Sequence, residues 1–496
     1  MFSKTDKRST IYYGTLLICS LAVFTVFIFI AWRSFFFQDD FGFLLPVVFG
    51  DLRVIPDLAD LHFFRPVSRE LFFLVSYHFF GKESFGFYLV NIAAHLLSAI
   101  CLFFILVKLK LSNKLSILVV FLFFSNVAAF EKISWISNFQ HTSYQIFLLL
   151  SALFAIHSTE KYGVGRISLI SLSVISWVLS IFSHMAGLFF PFILILLLYV
   201  KLSQDNDEKF KGILSVITKT TFAHWMVFFI YVAFIMLPHW KSTDISDPYY
   251  IEPTIMTFYH NLLYYFKSAL FTNFHGNYLV LVAIFCGYAI FFVPRTITNF
   301  PRKKFALINF LILMVIFCLL YAPFAFLKYQ RYANYVSLAL IPWYVIILYP
   351  ILSYFKMQNI SYPKKLLVTL FIVILTISFL PGEKDFMWYV KYSPKLHIKS
   401  IWDQTQLMLP EIPEGIRRVV FIDGEDKAST HSEEVPVWKI PPFWWHVGHG
   451  TMFAIIYGKL DIEFEVTGEK PVLKEPDSIY VTVDKGPIYY ALSLYK

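Results

Sequence analysis

Apolar residues run along this chain in long blocks, broken by short polar or basic stretches. The blocks lie near residues 11–31, 87–107, 115–130, 142–157, 167–183, 186–200, 220–237, 277–293, 305–322, 333–352 and 366–381. About 20 apolar residues carry a helix across a bilayer core, and a helix satisfies its own backbone polar groups there. The pattern predicts a polytopic α-helical membrane protein of about eleven transmembrane helices. The first block follows Lys4, Lys7 and Arg8. It reads as an uncleaved span, because no small-residue cleavage site follows it.

Charge then orients the spans. The connections "KLKLSNK", "STEKYGVGR", "KLSQDNDEKFKGILSVITK", "PRTITNFPRKK" and "SYFKMQNISYPKK" hold most of the loop Lys and Arg, and all alternate onto the side of the N-terminus. Basic loops stay in the cytoplasm, so the reading is a multi-pass protein of the plasma or inner membrane with its N-terminus cytoplasmic. Residues 32–86, 131–141, 238–276 and "YAPFAFLKYQRY" then face outward. Within the third of these, "YYIEPTIMTFYHNLLYYF" reads as an interfacial amphipathic helix. From about residue 395 the pattern shortens to "RRVVFID", "MFAIIYG", "LDIEFEV", "SIYVTVD" and "IYYALSL", strand-like runs parted by Gly, Pro and Asp. The expected division is a membrane domain over 1–394 and a small α/β extracytoplasmic domain over 395–496.

Composition agrees with a membrane protein: 58% of the residues are hydrophobic and 15% charged, where a soluble domain has about 25% charged. The net charge of +9 is scattered over loops, which is a topology signal and does not point to nucleic acid. Cys19, Cys101, Cys286 and Cys318 all fall inside apolar blocks, so neither a disulfide framework nor a cysteine metal site is expected.

Candidate chemistry sits at the outer edges of the spans. "FFFQDDFGF" sets Asp39 and Asp40 just past the first block. A carboxylate there is cheap to keep, since it lies at the boundary of the hydrocarbon. It is suited to take a proton from a hydroxyl that attacks an electrophilic carbon, and a second acid tunes or orients the first. The plain alternative is that both acids start a helix. "WWHVGHG" carries His446 and His449 without a carboxylate or cysteine at ligand spacing. No metal is read there, nor any other cofactor in the chain. Its aromatics read as packing the tail onto the membrane domain or as touching sugar.

Several segments together resemble the membrane-embedded GT-C glycosyltransferases, especially the protein O-mannosyltransferase-like branch. Asp39–Asp40, Arg65–Pro66, Phe80–Gly81, and Tyr88, Asn91 and His95 (the last within one residue) match that family's first outer loop and second span. "NVAAFEKISWISNFQH" is similar to its segment with a Glu before an aromatic turn, placing Glu131 there. Gln140 and His141 stand where the family often has Arg and Asp. "FLKYQRYANYVSLAL" resembles a Glu-Arg-Tyr-like triplet, here Gln330, Arg331 and Tyr332. "LSIFSHMAGLFF" puts Ser183–His184–Met185 where many members carry Lys-Glu.

The resemblance implies transfer of a sugar from a polyprenyl-phosphate donor to an acceptor on the outer face, with inversion. Asp39 or Asp40 would serve as base, with Glu131 beside them. Arg331, assisted by Arg65, Arg69 or Lys328, would hold the leaving phosphate, because an arginine fork bonds phosphate bidentately. Tyr88, Asn91, His95, His141, His184 and Tyr332 would contact substrate. Membrane lipids and a glycan, lipid or protein acceptor are the expected partners, with surface-glycan modification the preferred setting. A nucleotide-sugar donor does not fit, since no glycine-rich phosphate loop is present. Two other classes stay open: a lipid-linked glycan transporter, which would show mid-span charges and pseudo-symmetry, and a non-catalytic glycolipid binder.

Overall fold

A computed structural model of the chain describes residues 7–50, 65–205, 210–237, 250–265, 303–328, 332–355, 395–423, 443–467, 475–485 and 490–494, with Met387, Tyr389, Lys391 and Ser393. Among them, six helices are long and apolar enough to cross a membrane: Tyr12–Arg33, Ser84–Lys108, Ile136–Ser158, Gly163–Ser183, Met185–Gln204 and Lys211–Met236. These match the expected blocks from 11–31 to 220–237, with one exception. The block at 115–130 is a helix pair, Asn113–Ser125 and Val127–Ile133, bent by 47°. The blocks at 305–322 and 333–352 meet shorter apolar helices, Ile308–Phe324 and Leu340–Tyr349. Those at 277–293 and 366–381 lie outside the described residues, so the described chain has six or seven span-length elements and does not establish eleven.

In chain order the α-helices that matter here are α1 (Lys7–Arg33), α2 (Asp39–Val48), α3 (Phe72–Phe80), α4 (Ser84–Lys108), α5 (Asn113–Ser125), α6 (Val127–Ile133), α7 (Phe139–Ser158), α8 (Gly163–Ser183) and α9 (Phe190–Asp205). Asn126 causes the bend between α5 and α6. Its extended backbone (φ −73°, ψ 168°) ends one helix, and its side-chain oxygen caps the next by accepting from Ala129 N at 2.9 Å. Its amide donates to the Tyr344 hydroxyl at 3.1 Å, so the break is filled by polar partners, as a break inside an apolar bundle requires.

The C-terminal part holds α10 (Lys395–Met408), strand β1 (Arg418–Asp423), α11 (Thr451–Tyr457), β2 (Glu463–Thr467), β3 (Ser478–Lys485) and β4 (Tyr490–Leu494). The sheet order is β2-β1-β3-β4, with β1 parallel to both neighbours and β4 antiparallel to β3. A parallel pair needs a crossover. Part of the β1-to-β2 connection is α11, whose Phe453 ring lies over Phe421 of β1 at 4.2 Å. Glutamine 404 of α10 accepts from Leu492 N of β4 at 2.9 Å, tying that helix to the sheet.

This unit is docked on the turn after α1. Phe35 N donates to Lys395 O at 3.1 Å, and Gln38 N donates to His446 O at 3.1 Å. Phe35 packs edge-on against Trp402 at 5.4 Å. From the α3–α4 turn, Lys82 Nζ donates to Ile455 O at 2.9 Å. The acid pair of the sequence therefore lies in the seam between helical bundle and tail.

Candidate functional site

Although adjacent in sequence, the two aspartates lie in opposite environments. They open α2, where the helix dipole favours negative charge. The turn before them is set by Gln38, a non-glycine at φ 50°. That geometry swings Asp40 inward, where it is wholly buried. Its Oδ2 accepts from Phe37 N at 2.9 Å and its Oδ1 from Ser137 N at 2.7 Å and from the Ser137 hydroxyl. Burial pushes the Asp40 carboxyl up to about 7, against the pull of those donors and of the Lys395 ammonium. Asp40 is thus occupied in pinning α2 to the turn before α7.

Asp39 faces outward and is exposed to solvent. Neighbouring protein nonetheless crowds the carboxylate, and this desolvation raises it from the ordinary carboxylate range. Arg69, Arg65 and His449 pull it back down, in that order of influence. Of the two acids, Asp39 is the one open to solvent.

Both arginines come from a short π-helical turn, Val67–Leu71, and the residue two before it. Arg69 N donates to Arg65 O at 3.0 Å, so a spacing of four places both guanidinium groups on one face. The Ser68 hydroxyl fastens the turn to the end of α8 through Ser183 O at 2.7 Å. Arg69 lies over the Phe43 ring at 4.2 Å and 3.8 Å from Glu70 Oε1. Arg65 is nearly buried and donates to Gln140 Oε1.

Beyond Arg65 stand two histidines. The His141 and His184 rings are 4.7 Å apart and both buried, and Arg65 lies within electrostatic reach of each. His184 accepts from Ala186 N through Nδ1 at 3.1 Å, capping the turn after α8. Neither ring nitrogen of His141 has a hydrogen-bonding partner among the described residues. Tyr335 packs on His141 at 4.9 Å, and Tyr332 packs on Tyr335 at 5.5 Å. Arg65, His141 and His184 thus form a cationic, imidazole-rich cluster beside the turn that carries Arg69.

Glu131 is half-buried on α6 and accepts from Asn334 N at 2.8 Å. Lys395 of the tail sits between Glu131 and Asp40. It donates to the Ser134 hydroxyl at 3.3 Å and lies 5.4 Å from the Trp135 ring centroid. Burial pushes its ammonium down to about 8, while both acids pull it up. Nothing in the spacing of the sequence pairs a residue at 395 with these acids.

Three residues expected at the substrate are spent on packing. Tyr88 donates to Phe35 O at 3.1 Å, Asn91 to Lys132 O at 2.9 Å, and His95 Nε2 lies 3.3 Å from Phe124 O. All three are fully buried in α4. Lys132, adjacent to Glu131 in sequence, turns inward to Gln145 Oε1 (2.6 Å), the Ser337 hydroxyl (3.0 Å) and His95 Nδ1 (3.5 Å). Lys328 is paired with Glu252 at 3.0 Å. Arg331 lies outside the described residues. No cluster of three or more metal-ligating side chains occurs among the described residues.

No family model matches the chain, and no curated protein does. Among solved structures, a crystal structure of an oligosaccharyltransferase from Archaeoglobus fulgidus in the apo form is similar, with 10% identity and a TM-score of 0.44 over 90% of this chain. The chain spans 64% of the length of that protein.

Proposed function

We propose that the protein is a membrane glycosyltransferase of the GT-C type, which moves a sugar from a polyprenyl-phosphate donor to an acceptor hydroxyl at the extracytoplasmic face. The observation that carries this reading is an exposed carboxylate, Asp39, under the influence of Arg65 and Arg69 at the end of an apolar helical bundle. Asp39 takes the proton of the acceptor hydroxyl as its oxygen bonds to the anomeric carbon. The bond from that carbon to the phosphate oxygen breaks, and the electron pair leaves on the phosphate. Arg65 and Arg69 stabilise that charge, and His141, whose ring nitrogens have no hydrogen-bonding partner among the described residues, lies next to Arg65. Attack from the Asp39 side, with the phosphate held at the arginines, inverts the anomeric centre. The acceptor in this reading is a surface glycan, such as an O-antigen, in preference to a lipid or a protein.

Purified protein incubated with a panel of polyprenyl-phosphate sugars tests the reading. One donor is expected to be consumed with transfer of its sugar, whereas donor bound tightly and never consumed would favour a transporter or glycolipid binder. Arg65→Ala is expected to weaken donor binding by about 10- to 100-fold, the loss of a charge-assisted phosphate contact, measured by displacement of a fluorescent polyprenyl phosphate. Unchanged affinity would place the phosphate elsewhere.

The base must be ionised to work. Because surrounding protein raises the Asp39 carboxyl, its ionised fraction grows with pH through a range above that of a free carboxylate. The rate of transfer is therefore expected to fall on acidification, with an acid limb above the ordinary carboxylate range. In Arg69→Gln one charge that favours the ionised form is lost, so the limb moves further up. A pH–rate profile that is flat across the acid range would exclude Asp39 as the titrating base.

A further inference from the structure

The tail turn "WWHVGHG" has a backbone that its sequence does not choose freely. Gly448, His449 and Gly450 all have positive φ, 64°, 53° and 87°. Glycine adopts this conformation at no steric expense, but for His449 the left-handed backbone is strained by its Cβ. A side chain kept in such a conformation is held by its surroundings, and such positions cluster at functional sites.

The surroundings are the acid-bearing turn. Gln38 N donates to His446 O at 3.1 Å, and the His446 ring lies 5.2 Å from that of Phe37. A Cβ on Gly448 would stand 2.9 Å from Gln38 O and 3.0 Å from Phe41 Cβ. Glycine at 448 is thus what lets the tail backbone lie directly on the turn that presents Asp39. One residue on, His449 is exposed and within electrostatic reach of Asp39. The groups that face Asp39 are then Arg65 and Arg69 from the turn before α3, and His449 from the tail. The neighbouring Asp40 is turned to Ser137 and Lys395.

We propose that His449 is a positioning residue for Asp39: the tail turn holds its imidazole beside the carboxylate, where it orients the base toward the incoming hydroxyl. This rests on the reading of Asp39 as base. The proton passes from hydroxyl to Asp39, and His449 neither gains nor loses one. When donor phosphate engages the arginines, their charge is shared with it, and His449 still acts on Asp39 from the tail side. The tail thereby completes the site instead of merely covering it.

Two measurements test the assignment. His449→Gln is expected to lower kcat by about tenfold with donor KM unchanged, the size of loss that misoriented reacting groups produce. The acid limb of the profile should move to higher pH, because a group that lowers Asp39 is gone. A kcat and acid limb identical to wild type would overturn the proposal, as would a loss confined to thermal stability. Independently of activity, Asp39→Cys combined with His449→Cys is treated in membranes with a short bismaleimide. Mass spectrometry should then find a linked peptide pair spanning positions 39 and 449, and its absence overturns the proposal. A linked pair, together with an Asp39→Asn protein that transfers sugar as wild type does, would uphold the Asp39–His449 contact and sink the assignment of Asp39 as base.

Discussion

Asp39→Asn protein is expected to fold, to bind the donor as wild type does, and to lose turnover. The substitution keeps the shape of the side chain and removes only its ability to take a proton, and loss of a general base lowers rates by about 10²- to 10⁴-fold. Folding should be untouched because Asp39 is exposed and the fold does not rely on its charge. Donor affinity should hold, or rise slightly, because Arg65 and Arg69 keep their charge and lose a competing anion. The check is a pair of assays on one preparation, donor binding and sugar transfer. Loss of both together would mean that Asp39 supports the site's architecture instead of its chemistry.

The neighbouring substitution should behave in the opposite way. Asp40→Ala leaves the Phe37 and Ser137 backbone donors facing an apolar space, together with the Ser137 hydroxyl and the Lys395 ammonium. Breaking a buried, hydrogen-bonded charge in this way costs about 3–5 kcal/mol, a large share of the stability of an ordinary domain. The expected result is poor recovery of monodisperse protein and a melting transition many degrees below wild type. Asp40→Asn should be intermediate, since its amide keeps one acceptor but turns a donor toward another donor. An Asp40→Ala protein that melts with wild type would show that the α2 turn is held by something other than this carboxylate.

The contrast between the two acids marks where the sequence stops being legible. An acidic pair at the edge of an apolar block is visible in "FFFQDDFGF", but which acid turns inward depends on Ser137, 97 residues away. Gln38 adopts a positive φ that no local rule assigns to glutamine. The helices were easier to read, because lipid demands about 20 apolar residues in a row and most of the expected blocks coincide with described helices. The bend at Asn126 was hidden inside one such block, where a single polar residue does not interrupt hydropathy. Tyr88, Asn91 and His95 carry polar atoms at matching spacing, yet each hydrogen-bonds to backbone carbonyls exposed by the bundle's own turns. Polar type alone does not distinguish that use from substrate contact.

The tail was harder still. Lys395 and His449 reach the acids across more than 300 residues of chain, and only the glycines around His449 carried a local signal. Gly-His-Gly is a spacing that permits left-handed backbone, which is the local signal that "WWHVGHG" carries. The sequence names Arg65 and Arg69 only as alternative assistants to Arg331; that they share a face follows from the turn the chain forms there.

The most direct measurement is single-turnover sugar transfer from a radiolabelled polyprenyl-phosphate donor, wild type beside Asp39→Asn, at saturating donor and acceptor. The account predicts one rapid turnover by wild type and at least about a hundredfold slower release of sugar by the variant, with equal donor bound at time zero. Equal rates from the two proteins would contradict it.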